Sequence, residues 1–446
     1  MSTINSVIKR SGAVVPFNPE RITNAIYRAA VAVGGRDRAM AEHLTTQVVH
    51  MLEQKMPADQ SPTVEEIQDV IEKVLIENRH AKVAKAFILY RDERARARRR
   101  RATLASHPSA NVPWAKIWSV LDWSVDHGVH TVAALNERIS RGEFAAVVQE
   151  AETAYEEDLG GAVESLLERG ESLKVVIITG PSSSGKTTTT LKVAMRLKRL
   201  GLNLVTLCVD NYFYDLELHP RDEFGDYDFE TPQALDVGLV NQHLARLVAG
   251  DQVLLPHYDF KSGRRLADQT PMRLAPKDII LIDSLHGLYP DMTADIPHER
   301  KFKLYVEPLL QMKGPGGQYV RWADLRLIRR MLRDSVHRAY DPRRTLEHWH
   351  YVRSSEMHNI IPHINESDYI INSGMPYELA LYRSRMLDKF ALWVADYQED
   401  AWREDAYNRA RRVHALLQAV APIEDDSAVP LDSVLREFIG GSSYQY

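Results

Sequence analysis

The sequence predicts an α/β domain, a parallel sheet flanked by helices, preceded by a small mostly α domain and a helical connector. Three observations support this architecture. A strongly apolar strand leads into a glycine-bracketed loop within Lys174–Leu191, a later apolar strand ends in Asp283, and residues 18–90 show helical periodicity after a short hairpin. We set three domains with the boundaries 1–97, 98–170 and 171–446.

Composition limits the classes of protein. The 446 residues suffice for two or three domains with full cores, and the net charge of −5 gives no reason to expect a nucleic-acid partner. The single cysteine, Cys208, excludes an intramolecular disulfide and is expected in the core. No signal peptide and no apolar run of about 20 residues is present, so we expect a cytoplasmic protein without membrane contact.

Local signals define the first domain as a β-hairpin plus four helices. Ser6–Phe17 carries the apolar pairs Val7-Ile8 and Val14-Val15 on either side of a Ser-Gly turn, which predicts the hairpin. Asn18–Glu20 is a helix start with asparagine as the cap. Apolar residues at helical spacing predict the helices that follow, and Thr63 with Glu66 forms a capping box that opens the third.

The connector is predicted to be mostly helical. Residues 91–101, RDERARARRRR, carry a block of like charge that is typical of a solvated linker, and no aromatic residue is interleaved to stack on bases. Pro108 and Pro113 mark a boundary, and Ala115–Gly170 follows with helical spacing.

Lys174–Leu191 contains a phosphate-binding loop. The uncharged β-branched run Val175–Thr179 predicts a strand buried on both faces. In the G-x-x-x-x-G-K-T pattern that follows, the glycines let backbone N–H groups point at one anion. Lys186 is expected to reach the β- and γ-phosphates, and the Thr187 hydroxyl to hold Mg²⁺. The predicted nucleotide-binding residues are Gly180, Ser182, Ser183, Ser184, Gly185, Lys186, Thr187 and Thr188.

Two further strands are predicted to end in acids. Leu204–Val209 is predicted as a buried strand before Asp210, and 279–282 as a buried strand before Asp283. Parallel sheets bind ligands at the carboxyl ends of their strands. Asp210 is therefore a candidate to accept a hydroxyl proton or to hold metal-bound water, and Asp283 is a candidate near Mg²⁺. For either acid alone, a helix cap or turn residue is an equal alternative.

An arginine-rich helix is predicted within Arg321–Arg344. Steps of three and four residues put Arg326, Arg330 and Arg333 on one side of it. Beside a phosphate loop, such guanidiniums stabilise the charge that spreads over a transferred phosphoryl group. The alternative is an exposed cationic helix that pairs with local acids.

Taken together, Gly180–Tyr382 resembles the uridine kinase and phosphoribulokinase family of P-loop kinases. The resemblance implies a phosphotransferase that uses ATP and Mg²⁺ on a small-molecule phosphate acceptor, with Lys186, Asp210, Arg330 and Arg333 as catalytic residues. A later stretch, LDSVLREFIGGSS, is similar to one in the long bacterial uridine kinase-like proteins. The segments that carry the family resemblance are GPSSSGKTT, VDNYFYD, GDYDFETPQALD, LPHYDFKSGRR, ILIDSLHGLYP, RLIRRMLRD and SDYIINSGMPYEL.

The same resemblance implies Thr187 and Asp283 as the metal-associated residues. Gly263, Tyr340 and His348 stand where authentic uridine–cytidine kinases carry base-reading or lid residues. A nucleoside therefore stays open as the acceptor beside a sugar, a sugar phosphate or another small alcohol. The implied acceptor contacts are Asp210, Tyr212, Glu230, Tyr258 and Arg338.

Ile4–Arg96 resembles the ATP-cone, the regulatory nucleotide-binding module of ribonucleotide reductases and their repressor, through VIKRSG, PFNPERI, TVEEIQDVIEKVL and FILYR. The resemblance implies a regulatory nucleotide, ATP or dATP, bound by Lys9, Arg10 and Arg21. Adjacent cations beside a helix N-terminus suit a triphosphate, and the alternative is that Lys9 and Arg10 only guard a strand edge. Cones and these kinases both tend to assemble, so we expect a homo-oligomer.

A non-enzymatic alternative is an ATP-sensing regulator that binds nucleic acid through Arg94–Arg101. It predicts salt-dependent nucleic-acid binding without ATP turnover. The chain lacks the zinc-ligand cysteines of the repressors that carry this cone, which counts against it.

Overall fold

The computed structural model describes residues 4–8, 14–55, 61–91, 111–221, 227–337, 341–398 and 403–445. The chain divides into two compact units: Met1–Ser109 with Arg221–Asp228, and Ala110–Pro220 with Phe229–Tyr446. Several sequence predictions concern residues outside the described ranges, namely Lys9, Arg10, Arg338, Tyr340 and the run 94–101.

The first unit contains the predicted hairpin and helices. The Thr63 hydroxyl accepts the Glu66 backbone N–H at 3.2 Å, and the Thr63 N–H donates to the Glu66 carboxylate at 2.7 Å, which confirms the capping box. Asn18 Oδ1 accepts the Glu20 N–H at 2.9 Å, although the cap position itself is Pro19. The elements are β1 (Ser6–Ile8), β2 (Val14–Pro16), α1 (Glu20–Val31), α2 (Arg38–Lys55), α3 (Val64–Glu77) and α4 (81–91).

The second unit is built on a parallel sheet. The strands of this unit are β3 (Val175–Thr179), β4 (Asn203–Thr206), β5 (Val253–Asp259), β6 (Arg264–Met272), β7 (Asp278–Ser284), β8 (Lys301–Glu307) and β9 (Tyr369–Asn372). Five of them form the sheet in the order β4-β7-β3-β8-β9, with every neighbouring pair parallel. The other two, β5 and β6, form a separate antiparallel hairpin.

Helices flank this sheet, which confirms the predicted fold class. In the described part of the chain, no helix is long and apolar enough to cross a membrane. The helices are α5 (Trp114–Asp126), α6 (Val132–Ser140), α7 (Phe144–Leu167), α8 (Lys186–Arg199), α9 (Val237–Ala249), α10 (Trp322–His337), α11 (Pro342–Asn359), α12 (Glu378–Tyr397), α13 (Glu404–Ala419) and α14 (Arg436–Ile439).

The central strand β3 is covered on both faces, as predicted. Val175 and Ile177 belong to a core shared with α9 and β5, whereas Val176 and Ile178 belong to a larger core shared with α7, α8, α10, α12 and α13. All residues of β3 are buried. Because successive side chains of a strand point to opposite faces, both faces of β3 are packed, and the loop that follows β3 begins between the two layers.

The connector is helical, as predicted, and its apolar residues pack with the sheet. Leu135 of α6 and Val147 and Tyr155 of α7 lie in the same core as Val176. The boundary at residue 170 stays a prediction.

The strand before Asp210 differs from its prediction. It covers Asn203–Thr206 rather than Leu204–Val209, and none of its residues is fully buried. The reason is its place at the sheet edge, where it pairs only with β7. The prediction that Cys208 lies in the core is wrong, because this residue follows the edge strand and is exposed.

Candidate active site

The predicted phosphate loop joins β3 to α8 at the carboxyl edge of the sheet. Gly180 has a φ of +154°, and a Cβ there would lie 2.1 Å from the Val306 carbonyl oxygen. Gly185 has a φ of +90°, and a Cβ there would lie 2.5 Å from Val434 Cγ2. Space and conformation therefore both require glycine at these two positions.

The loop also holds two buried hydroxyl groups. Ser183 Oγ and Ser184 Oγ are buried and make no hydrogen bond within the described ranges. The Lys186 ammonium folds back over the loop and donates to the Pro181 carbonyl at 3.2 Å. Buried hydroxyls beside a cation and the N-terminus of α8 are a favourable environment for an anion.

Two carboxylates flank Lys186, as the strand-end pattern predicts. Asp283 of β7 is in register with Ile178 of β3, two residues before Gly180. Asp210 lies in a short 3-10 turn, Val209–Tyr212, directly after β4 and Cys208. Both carboxylates lie within electrostatic range of Lys186.

The surroundings shift the pKa values of these groups. Burial raises the pKa of Asp283, and Lys186 opposes this rise, whereas Glu437 and Asp210 add to it. Protein atoms crowd the Asp210 carboxylate closely enough to raise its pKa too, although solvent still reaches the residue, and Lys186 again opposes the rise. Burial lowers the pKa of Lys186, against the effect of Asp283 and Glu437.

Arg330 and Arg333 of α10 lie near the loop. Arg330 Nη1 is 3.2 Å from Ser182 Oγ and 3.3 Å from Glu230 Oε1, so this guanidinium joins the loop to a predicted acceptor contact. Arg333 lies close enough to Lys186 to help lower its pKa. A catalytic role for these two arginines stays a prediction.

Arg326 and Arg329 of α10 are fully buried and paired. Arg326 Nη1 donates to the Ser182 carbonyl at 3.1 Å and also forms an ion pair with Glu356. Arg329 Nε donates to Glu378 at 2.8 Å, on a different side of the helix. The expectation of an exposed or phosphate-facing arginine is therefore wrong for Arg326, because a buried glutamate neutralises it. Arg329 is neutralised in the same way by Glu378.

An aromatic cluster adjoins the turn that carries Asp210. The Asn211 side chain accepts the Tyr258 backbone N–H at 3.2 Å. The Tyr258 ring lies 5.5 Å from the Phe213 ring and 4.9 Å from the Phe260 ring, between centroids. The Tyr258 hydroxyl is buried and has no hydrogen-bond partner among the described residues. A contact between this residue and the acceptor stays a prediction.

Tyr212 is placed differently from the other predicted acceptor contacts. It is fully buried in a hydrophobic core, and its hydroxyl lies 3.0 Å from His243 Nδ1. These contacts give Tyr212 a packing role in the turn, and a contact between it and the acceptor stays a prediction.

Position 263 follows β5 in a tight turn. Gly263 has a φ of +66°, and a Cβ there would lie 2.8 Å from Leu216 Cβ. The Gly263 carbonyl also accepts the Leu216 N–H at 2.8 Å. The backbone at this position therefore disfavours any side chain, including the histidine of uridine–cytidine kinases.

Sequence analysis misses two residues beside the loop. His286 is 3% exposed, and burial lowers its pKa to about 4, against the effect of a hydrogen bond with the Glu230 backbone. Its position three residues after Asp283 was the available signal. Glu437 is the second, and its carboxylate accepts hydrogen bonds from Thr188. The available signal was its place in LDSVLREFIGGSS, although nothing in that stretch relates it to the phosphate loop.

The predicted regulatory site of the first unit is described only in part. Arg21 is exposed in the first turn of α1, and Lys9 and Arg10 lie outside the described residues. Nucleotide binding by these three residues stays a prediction.

Comparison with known proteins assigns both parts of the chain. Residues 175–380 match the Phosphoribulokinase / Uridine kinase family, and residues 5–96 match the ATP cone domain. A uridine kinase of Chloroflexus aurantiacus is 30% identical over 202 residues, which cover 45% of this chain and 87% of that protein. This chain belongs to the phosphoribulokinase and uridine kinase family. It is a phosphotransferase with an N-terminal ATP cone domain.

Two further similarities concern the cone and the fold of this kinase. A vitamin B12-dependent ribonucleoside-diphosphate reductase of Thermoplasma acidophilum is 44% identical over 96 residues, which cover 20% of this chain and 12% of that protein. The structure of D-glycerate 3-kinase from Cryptococcus neoformans aligns at 16% identity with a TM-score of 0.24, over 61% of this chain and 87% of that one.

The family uses ATP with Mg²⁺, which confirms the expected cofactors. The loop fits the nucleotide, because the buried Ser183 and Ser184 hydroxyls and the glycine turns leave polar groups for phosphate oxygens. Within the described ranges, no group of three or more His, Cys, Asp or Glu side chains is placed to hold a metal ion. Mg²⁺ in kinase sites uses one or two carboxylates with substrate phosphates and water, so Asp283 and Thr187 fit this role.

Proposed function

We propose that this kinase transfers the γ-phosphate of ATP to a hydroxyl group of a nucleoside-like small molecule, and that the ATP cone adjusts the activity to nucleotide levels. The observation that carries the proposal is the position of Asp210 and Asp283 around Lys186, at the edge of the sheet where the phosphate loop begins.

Asp210 is the proposed general base. Crowding by protein atoms raises the pKa of Asp210 relative to an ordinary aspartate, which makes the carboxylate a better proton acceptor. Its turn is tied to the aromatic cluster through Asn211 and Tyr258, so an acceptor that contacts Tyr258 would have its hydroxyl near Asp210.

Lys186, Arg330 and Arg333 are proposed to stabilise the transferred phosphoryl group. Three cations close to one loop counter the charge that develops on the oxygens of this group during transfer. Mg²⁺ held by Asp283 and Thr187 would neutralise part of the charge on the phosphates.

The aromatic cluster supports a ring-bearing acceptor. The Tyr258 and Phe260 rings are close to each other, and Phe260 is exposed, so an open aromatic surface borders the Asp210 turn. Such a surface favours a flat ring that stacks on it, as the base of a nucleoside does. The buried Tyr258 hydroxyl offers a hydrogen bond to the same ligand.

A second candidate acceptor is a sugar, a sugar phosphate or another small alcohol. It is favoured by Gly263, where the left-handed backbone and the Leu216 contact leave no room for a base-reading histidine. The same catalytic residues would serve this acceptor, because they contact the phosphoryl group and the hydroxyl rather than the base.

An acceptor panel tests the proposal. The full-length protein is incubated with Mg·ATP and purine and pyrimidine nucleosides, pentoses, pentose phosphates and glycerate, and phosphorylated products are identified by mass spectrometry. Asp210→Asn should reduce turnover by roughly a hundredfold or more with nearly unchanged ATP affinity. Glu217→Gln, an exposed acid of the same segment, is the matched control.

The panel distinguishes the two candidates. Phosphorylation of a nucleoside supports the first, and phosphorylation of sugars with inert nucleosides replaces it by the second. Full turnover in Asp210→Asn would contradict the role of this residue as the base, whichever acceptor is used.

Regulation through the cone needs a separate test. Turnover is measured against increasing ATP and dATP in the full chain and in a Lys9→Ala, Arg10→Ala, Arg21→Ala variant. The variant should lose its response to dATP and keep its basal rate. Arg28→Ala, an exposed arginine on the same helix as Arg21, should respond as the native chain does. An unchanged response in the triple variant would contradict the proposal.

A further inference from the structure

A short C-terminal segment, Ser433–Ile439, packs directly on the phosphate loop. Val434, Leu435 and Phe438 of this segment are fully buried. Val434 fills the space beside Gly185, where even one added carbon would collide with it. The segment is therefore part of the wall of the nucleotide site and not a loose tail.

Glu437 of this segment is bonded to the first turn of α8. Its Oε2 accepts the Thr188 backbone N–H at 3.2 Å and the Thr188 hydroxyl at 2.8 Å. Glu437 is 4% exposed, so these bonds are shielded from water. The first N–H groups of a helix have no intrahelical acceptor, and a carboxylate at this position stabilises the helix as an N-terminal cap does.

The same N–H group belongs to the set that a phosphate loop offers to its nucleotide. Such loops hold the α- and β-phosphates through backbone N–H groups of the loop and of the following first turn. The Glu437 carboxylate also lies within electrostatic range of Lys186 and Asp283: it opposes the lowering of the Lys186 pKa by burial and adds to the rise of the Asp283 pKa. A fixed anion therefore occupies a position that suits a phosphate oxygen.

We propose that Glu437 acts as a phosphate substitute in the nucleotide-free kinase and that bound Mg·ATP displaces its carboxylate from Thr188. The two anions cannot accept the same N–H, and their like charges repel at short range. Glu437 thus sets the affinity of the site for nucleotide, and the C-terminal segment responds to its occupancy.

The neighbours of Glu437 allow a local displacement. Arg436 is anchored to Asp426 at 3.0 Å and to the Val429 carbonyl at 2.8 Å. Gly440 and Gly441 follow the segment with φ values of +87° and +75°. The residues before Glu437 are thus held firmly, and a change after it is absorbed at two glycines, where backbone rotation is least costly.

Binding measurements on the full chain test the proposal. The dissociation constant of adenylyl imidodiphosphate with Mg²⁺ is measured by calorimetry for the native chain, Glu437→Gln and Glu424→Gln. Glu437→Gln should bind roughly tenfold more tightly or better, because the glutamine keeps the shape but removes the repelling charge. Glu424→Gln, an exposed glutamate of the same region, should bind as the native chain does.

The opposite result is informative. If Glu437 held Mg²⁺ or contacted the ligand productively, Glu437→Gln would weaken binding, and this outcome overturns the proposal. An unchanged affinity overturns it as well.

Hydrogen exchange on the native chain gives an independent readout that needs no variant to fold. Saturating Mg²⁺ and adenylyl imidodiphosphate should accelerate amide exchange in residues 437–441 while they slow exchange in the phosphate loop. Slower or unchanged exchange in residues 437–441 upon binding would show that Glu437 stays in place, and the proposal would be wrong. Both measurements are independent of the acceptor, so the acceptor panel can fail without affecting them.

Discussion

Asp283 of β7 and Ile178 of β3 are register partners in two neighbouring central strands. Ile178 lies two residues before Gly180, so this pairing places the Asp283 carboxylate beside the start of the phosphate loop. The position has an electrostatic cost. Burial raises the pKa of Asp283, and Glu437 and Asp210 add to the rise, with Lys186 opposing it. The ionised Asp283 carboxylate therefore lowers the stability of the unliganded fold.

Asp283→Asn should raise the thermal stability of the nucleotide-free protein at neutral pH and lower its turnover. A carboxyl group with a raised folded-state pKa contributes stability that is present below its unfolded pKa and is lost as pH rises through the folded pKa. The difference in melting temperature between variant and native chain should therefore vanish at acid pH. It should grow as the pH rises above the pKa of an ordinary aspartate. A variant that is less stable at neutral pH would contradict this.

The pH dependence of turnover should show the same shift for Asp210. Because its pKa is raised, the proton is lost, and the base formed, at a higher pH than for an ordinary aspartate. The rate should thus rise with pH across a range above the usual aspartate pKa of about 3.9. Measurement of kcat/KM from acid to neutral pH checks this, and a rate that falls with rising pH there would exclude Asp210 as the base.

Arg330→Ala should reduce kcat by roughly a hundredfold or more and leave stability nearly unchanged. The guanidinium is partly exposed and contacts Ser182 Oγ, Glu230 and the buried Asp334. Asp334 also pairs with Arg333, so the loss of Arg330 leaves no buried charge without a partner. Arg344→Ala, an exposed arginine on α11, is the control. Steady-state kinetics with the acceptor found in the panel and a thermal melt of each variant provide the measurement.

Arg329→Ala should have a different effect, although Arg329 precedes Arg330 in the chain. It should destabilise the fold by about 3–5 kcal/mol, because Glu378 would stay buried without its partner. Chemical denaturation followed by far-ultraviolet circular dichroism measures this. A variant with native stability would show that water or another group satisfies Glu378.

Gly263→His should destabilise the protein by about 1–3 kcal/mol and should not create uridine kinase activity. The added side chain meets Leu216 and a left-handed backbone, so the ring cannot be presented as in kinases whose turn accepts a histidine. Gly316→His is the matched control, since a Cβ at Gly316 meets no atom within 4 Å and its φ is not left-handed. Stable folding of Gly263→His together with new uridine turnover would contradict this account.

The sequence predicted what local patterns encode. The β-branched run before Gly180 gave the buried strand, the glycine spacing gave the loop, and the Thr63–Glu66 spacing gave the capping box. The predicted strand before Asp210 extends further along the chain than the observed one and is more buried than it. The reason is that an apolar run alone does not distinguish an edge strand from a central one.

Contacts between distant parts of the chain could not be predicted in this way. Periodicity put Arg326 on the same side of its helix as Arg330, but it does not show that Glu356 would neutralise Arg326 from α11. Glu437 and Thr188 are far apart in sequence, and only the folded chain brings them into hydrogen-bond distance. Buried charges are decided by such long-range partners.

The double contact of Arg326 has a mechanical consequence. One guanidinium donates both to the Ser182 carbonyl in the phosphate loop and to Glu356 on α11, without access to solvent. Contacts from α10 and α11 thereby stabilise the conformation of the loop. Unfolding of these two helices on heating should therefore abolish phosphate binding at the same temperature. Heat inactivation and melting of these helices should then coincide in a single cooperative step.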